Sequence, residues 1–418
     1  MEKNHNSRDN FFLNIFENVS VLIGFLMPVF PRLLPILIGI LFINAIAEFK
    51  FKFRFRQLLQ SKIILAIIFY YGLNILSLLW SQNIDAGLFD NQVKLSLFIL
   101  PLLLFSERNL SSHIEKKIRL AFILGCATSS IYMLSIALYE YFQTGVNHFT
   151  YITLSKIFHP SYISMYLLLA IVFIWDDYLK KRKHIFFFFL ILCLLCLTTI
   201  LLSSKINILI LISLMLLYGF ISLFQFKKNK NPAIITFIFI FISVFVILSN
   251  KNISGRISQS IDTLFSEKKT DRNETASTGA RILIWEAGLE LLKEKCLMGV
   301  GCGDVKDELV KKYEVMGFDG IARTKLNAHN QYLQTAISAG ILGLALLLYI
   351  IINSIYRGFK EQNMLIILFF AIIAVNFSVE SMLETQAGVI FFAFFSSILL
   401  KARNHKSNMD ADHGIHIL

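Results

Sequence analysis

Asn327-Ala328-His329-Asn330-Gln331-Tyr332-Leu333 is the stretch whose reading decides the fold. It joins a long polar loop to an apolar run over residues 333–352. A membrane-spanning helix needs about 20 mostly apolar residues, and this run meets that length. Runs of the same kind recur at 63–80, 185–202, 206–224 and 233–248. Apolar residues make up 56% of the chain and 40 residues are Phe, which is more than a soluble domain carries. The mean hydropathy is +0.64. The pattern predicts an all-α polytopic membrane protein with about 12 transmembrane helices.

The expected helix cores are 14–30, 33–48, 63–81, 92–106, 118–142, 160–175, 185–202, 206–224, 233–249, 331–353, 363–379 and 387–400. This gives an N-terminal bundle of nine helices (1–249), a large, partly helical loop before the tenth helix (250–330), three C-terminal helices (331–400) and a tail (401–418). Pro28, Pro31 and Pro35 crowd the first turn, and Pro101 is expected to kink the fourth helix. The N-terminus is polar and no small-residue cleavage site follows the first apolar run, so that run reads as a retained helix.

Charge predicts orientation. One set of short connections holds Lys50, Lys52, Arg54 and Arg56, then Arg108, Lys116, Lys117 and Arg119, then 180–183, then Lys227, Lys228 and Lys230, then Arg357 and Lys360. The opposite set holds little more than Arg32, Lys94, Lys156 and Lys205. Basic loops stay in the cytoplasm, so both termini are expected there and the 250–330 loop outside. This accounts for most of the net charge of +12 without nucleic acid, because the basic runs simply flank spans.

The five cysteines point to packing more than chemistry. Cys193 and Cys196 form a CxxC inside an apolar helix. Cys296 and Cys302 share the external loop, where an oxidising compartment would allow them to pair. No metal-binding pattern is visible, and no metal or cofactor is expected.

The loop reads in three parts. Residues 250–278 are polar and charge-rich, as in a lid or linker. Residues 279–295 read as a helix with Ile282, Trp285, Leu289 and Leu292 on one apolar face, suited to lie on the bilayer. A glycine turn, Gly299-Val300-Gly301-Cys302-Gly303, follows, and Asp304 is placed to cap a short helix over 305–316.

His329 falls one residue before a helix cap, Asn330. A helix N-terminus carries partial positive charge, which disfavours an imidazolium and leaves a neutral histidine able to act as a base. The bland alternative is a histidine that caps the helix or reaches for the interface. Arg281 is either a phosphate-binding cation or a headgroup anchor beside Trp285. Lys205 sits in the turn between two long apolar helices, where an ionisable group is a functional candidate; the alternative is a lysine snorkelling to the interface. Arg281 and Lys205 together match a diphosphate. His159 and Tyr162 at the outer end of the sixth helix would add a supporting wall. Glu380 and Glu384 would pair with one of the cations.

The chain resembles the O-antigen ligase and O-antigen polymerase superfamily of polyprenyl-diphosphate-linked glycan transferases. The resemblance rests on Arg281-Ile-Leu-Ile-Trp285, Gly299-Val-Gly-Cys-Gly303, His329-Asn-Gln-Tyr-Leu333 and Gly340-Ile-Leu-Gly343, with Trp80-Ser81-Gln82 and the run from Lys94 to Pro101. It implies a metal-independent, inverting glycosyltransferase in the bacterial inner membrane. The glycan would pass from undecaprenyl diphosphate to a hydroxyl acceptor on the periplasmic face, with membrane lipids around it. His329 and Arg281 would be catalytic, and Lys205 and Arg281 would bind the diphosphate. His159, Tyr162, Asn330, Tyr332 and Glu384 would support them. Two departures stand out: similar proteins carry arginine at the Lys205 position and tend to carry proline where this chain has Cys296.

The acceptor of a ligase is the lipid A–core oligosaccharide; that of a polymerase is another lipid-linked repeat. The single dominant external loop and compact length favour the ligase. A glycolipid transporter without catalysis would place ionisable residues near the midplane of several helices. The expected spans are nearly charge-free, which disfavours it.

Overall fold

A computed structural model describes residues 2–107, 110–181, 185–225, 245, 247–265, 271–275 and 277–401. Every element among the described residues is helical, as expected of an all-α membrane protein. Eight helices are long and apolar enough to cross a membrane, and Phe187–Leu201, Met364–Phe377 and Gln386–Lys401 are shorter apolar helices. These correspond to eleven of the expected segments. The twelfth, 233–249, falls mainly outside the described residues. The chain is a multi-pass membrane protein.

Contacts divide the chain into two compact units, residues 1–122 with 284–418 and residues 123–283. In the first, Gln386–Lys401 is buried along almost its whole length. Its phenylalanines form the core with those of neighbouring helices: Phe122 meets Phe395 at 4.8 Å between ring centroids, and Phe369 meets Phe391 at 5.8 Å. A helix enclosed on all sides is apolar all round, which explains the uniform pattern of 387–400. In the second unit, Pro160–Lys181 has the enclosed role, and Trp175 stacks on Tyr218 at 4.9 Å.

Pro101 disrupts the fourth span as expected, and the form of the disruption is a π turn. The α-helix stops at Leu100, and Ser106 N–H reaches back five residues to the Pro101 carbonyl. Arg54, expected to be a cytoplasmic flank, is buried against this segment. Its guanidinium pairs with Glu48 at 2.7 Å and Glu107 at 2.6 Å and donates to the Leu103 carbonyl.

Several expectations change. The fourth span starts at Ile84 rather than near residue 92, because Asn83 caps it by accepting from Ala86 N–H. Lys94 is therefore inside a helix, not in a short connection, and that span is not charge-free. The polar stretch read as a lid contains a helix, Lys251–Phe265. The helix Ser277–Glu294 forms as expected, and the face it buries against the protein is the one opposite Leu289. Ala280, Leu283, Ile284, Ala287 and Leu291 are buried, while Leu289 is 54% exposed. Small residues decide this: a Cβ on Gly288 would lie 2.7 Å from Leu333, so close approach to the Gln331–Lys360 helix requires the Gly288 side.

The tenth span, Gln331–Lys360, was expected to be continuous and is broken at Gly340 (φ 67, ψ −164). Breaking a membrane helix frees backbone groups that hydrocarbon cannot satisfy. The glycine turn satisfies them: Val300 N–H and Gly301 N–H donate to the Ile337 and Ser338 carbonyls, and Ile341 N–H donates to the Cys296 carbonyl. The turn also seats on Ser77 and Ser81, whose hydroxyls accept from Cys302 N–H and Gly303 N–H. A Cβ on Gly301 would lie 2.2 Å from Ser81 Oγ. Asp304 does not cap the helix that follows it; its carboxylate accepts from Gln82 and Asn83 N–H, both at 2.7 Å. The turn, the serine segment and the Gly340 break are thus one clamp, and the turn's amide protons are committed to the protein itself.

Candidate functional site

His329 belongs to the first unit. Its backbone is left-handed (φ 42), a conformation uncommon for residues other than glycine. Neighbours on every side fix it. Trp285 Nε1–H donates to the Ala328 carbonyl at 3.2 Å, so this tryptophan secures the loop. Asn327 Oδ1 accepts from His329 N–H, and Asn330 caps the following helix by accepting from Leu333 N–H at 3.0 Å. Asn330 N–H in turn donates to Ser381 Oγ. The imidazole Nδ1 lies 3.1 Å from Glu380 Oε2, with the histidine side chain 26% exposed and the glutamate 7%.

Behind His329 runs a buried polar chain. Gln331 accepts from Leu383 N–H at 2.6 Å and directs its amide to Thr335 and Glu384. Thr335 meets the Tyr70 hydroxyl at 2.8 Å. Glu384 pairs with Lys94 at 2.9 Å, and Lys94 pairs with Asp90 at 2.7 Å. Burial works against the charge on Glu384, but Lys94 and the hydrogen bonds hold its carboxyl below the usual range. Tyr332 turns the other way: its hydroxyl donates to the Ala374 carbonyl, and its ring meets Phe377 edge-on.

The second unit holds Lys205, Arg281, His159 and Tyr162. Lys205 Nζ donates to Thr278 Oγ1 at 3.3 Å, which sets it at the first turn of the helix carrying Arg281. The Arg256 guanidinium stacks on the Tyr151 ring, 3.4 Å from its centroid. Tyr151 meets His159 edge-on at 6.3 Å, and His159 meets Tyr162 at 6.4 Å. Asn207 ties this wall to the lysine turn, donating to the Ser161 carbonyl and to Ser204 Oγ.

The structure therefore groups the expected residues into two sets. His329 and Asn330 lie with Glu380, and Gln331 links them to Glu384. Lys205 reaches the first turn of the helix that carries Arg281, and Asn207 links the Lys205 turn to Ser161, between His159 and Tyr162 in sequence. Three contributors escaped the sequence reading. Lys94 with Asp90 is an i, i+4 ion pair inside an apolar span, and that spacing was a visible signal. Arg256 lay in a stretch read as a lid. Gln331 stands inside the histidine motif, but nothing local marks it as the link to Glu384. All five cysteines are free; Cys296 is exposed, while Cys302 is buried near Gly87 and Asn91, and burial pushes its thiol up.

The fold defines a polytopic membrane protein whose polar clusters lie near helix starts. Residues 190–348 match the family described as Wzy_C, O-antigen ligase. The resemblance to the O-antigen ligase superfamily thus holds over the segment that carries Lys205, Arg281, the glycine turn and His329. The chain is also 34% identical over 94 residues to an uncharacterised protein of Haemophilus influenzae. That alignment covers 22% of this chain and 23% of the relative, so it spans less than a quarter of either.

Proposed function

We propose that this protein is a ligase-type glycosyltransferase. It moves a glycan from undecaprenyl diphosphate to a hydroxyl of lipid A–core oligosaccharide on the periplasmic face of the inner membrane, with both termini cytoplasmic. The observation that carries the reading is the His329–Glu380 pair at the start of the tenth span. An ionised carboxylate only accepts hydrogen bonds, so Glu380 places the imidazole proton on Nδ1 and leaves the Nε2 lone pair as the base.

The acceptor oxygen attacks the anomeric carbon from the face opposite the diphosphate, and His329 takes its proton. The bond from that carbon to the phosphate oxygen breaks, and the electron pair leaves with the diphosphate. Arg281 and Lys205 balance the charge that develops there. One displacement inverts the anomeric centre. No nucleotide sugar, cofactor or metal takes part.

Turnover of purified protein, normalised to folded molecules, tests this. His329→Ala should lose roughly 10²–10⁴-fold, the usual range for a positioned base. Near-normal turnover would end the proposal. A polymerase differs in its acceptor, and lipopolysaccharide gels of a deletion strain separate the two. Loss of a ligase leaves bare core and long polymer on the carrier; loss of a polymerase leaves core with a single repeat.

A further inference from the structure

Two short segments of the first unit meet residue by residue. His329 faces Glu380 at 3.1 Å, Asn330 N–H donates to Ser381 Oγ at 3.3 Å, and the Gln331 side chain takes the turn that follows, Met382–Glu384. The proposed chemistry uses only the first of these contacts. Gln331 is fully buried, two residues from the histidine, at the start of Gln331–Lys360.

A side-chain amide offers one acceptor oxygen and two N–H donors. Gln331 uses both ends. Its oxygen accepts from Leu383 N–H at 2.6 Å, and its NH₂ donates to Thr335 Oγ1 at 3.2 Å and to Glu384 Oε1 at 3.4 Å. Both partners are themselves held: Thr335 by the Tyr70 hydroxyl at 2.8 Å, and Glu384 by Lys94 at 2.9 Å. The amide thus has one orientation, and the turn beyond Glu380 has one seat. Glu380 itself hangs between this turn and the end of Met364–Phe377, where its N–H donates to the Asn376 carbonyl at 3.0 Å.

We propose that Gln331 is a positioning residue: it fastens the 382–384 turn beside the histidine loop and so sets the Glu380 carboxylate on Nδ1 of His329. The inference rests on the base chemistry proposed above. Gln331 acts through Glu380 and touches neither donor nor acceptor. The competing account is that the end of Met364–Phe377 alone places Glu380.

Turnover of the detergent-purified full chain separates the two. The substrates are the undecaprenyl-diphosphate-linked glycan and the lipid A–core extracted from a strain deleted for this protein. Melting temperatures identify the folded material to which rates are normalised. Gln331→Met keeps the length and removes every hydrogen bond of the amide. It should lower kcat roughly 10–10²-fold, as misplacement of a catalytic group does, with KM for both substrates near wild type. In a Glu380→Gln background the same change should add little, because both act on one contact. Gln331→Glu sets a like charge against Glu384 and should also be slow. Combining it with Glu384→Gln returns a donor opposite an acceptor and should recover most of kcat.

Normal kcat in Glu380→Gln overturns the base chemistry and this inference with it. An impaired Glu380→Gln beside a normal Gln331→Met overturns the role of Gln331 alone. So do losses that multiply in the double variant. If Gln331→Met does not fold, the exchanged pair decides: no recovery over Gln331→Glu overturns the role of Gln331.

Discussion

Glu380 sets its carboxylate 3.1 Å from Nδ1 of His329 across 51 residues of sequence. The pairing ties the loop before the tenth span to the segment after the eleventh. Glu380→Gln keeps the shape and removes the charge that fixes the imidazole tautomer. Turnover should fall roughly 10–10³-fold, less than for His329→Ala, because the base remains while its orientation and basicity suffer. Melting temperature should move little. A variant that melts early but turns over normally per folded molecule would reduce Glu380 to a structural strut.

The clamp at Gly340 makes a sharper stability forecast. A Cβ there would stand 2.1 Å from the Leu297 carbonyl oxygen, and the backbone is at positive φ. Gly340→Ala should cost about 2–5 kcal/mol, from strain and overpacking together. At Gly72, inside the Lys62–Ser77 helix, a Cβ meets nothing within 4 Å. Gly72→Ala should be neutral or stabilise by up to ~1 kcal/mol. Thermal melting in detergent compares the two, and equal effects would show that the break does not depend on glycine.

Lys94 holds two carboxylates, Asp90 and Glu384, at 2.7 and 2.9 Å. Lys94→Met leaves them facing each other without a counter-charge, which should cost about 3–5 kcal/mol. Glu384→Gln should cost less, because Asp90 still pairs with Lys94. Folded yield and melting temperature read both. If Lys94→Met melts like wild type, the ion cluster contributes nothing to the fold.

Much of this was legible in sequence because apolar run length is a strong signal. The histidine motif, its Asn330 cap and the helix over 277–294 were legible for the same reason: each rests on local chemistry. What failed depends on contacts between distant segments. Gly340 reads as a tolerated glycine until its neighbours show that the turn at 299–303 replaces the broken backbone bonds. Asp304 reads as a local cap, yet its carboxylate serves Gln82 and Asn83. Arg256 gave no signal, since one arginine in a polar stretch gains meaning only from its contact with Tyr151.

The lysine at 205 tests charge against geometry. Lys205→Arg keeps the charge and adds a bidentate fork, so transfer should be retained. Lys205→Ala should lose most of it, and Arg281→Ala should abolish transfer while the protein still inserts, because a desolvated diphosphate would lose a main counter-charge. Transfer assays in membranes, normalised to inserted protein, give the comparison. Full activity in both alanine variants would remove the diphosphate clamp.

Orientation can be read from a native probe. Cys296 is exposed on the segment between Ser277–Glu294 and the glycine turn, and the charge pattern predicts that this segment lies outside. In intact spheroplasts it should react with an impermeant thiol reagent, and Cys296→Ser should abolish the signal, because Cys126, Cys196 and Cys302 are buried and Cys193 lies within an apolar helix. Gln362 lies in the exposed connection after Lys360, at the opposite end of the tenth span from His329. A cysteine substituted there in the Cys296→Ser background should react only after the membrane is permeabilised. The reverse labelling would put His329 on the cytoplasmic side, where a periplasmic transfer to lipid A–core could not take place.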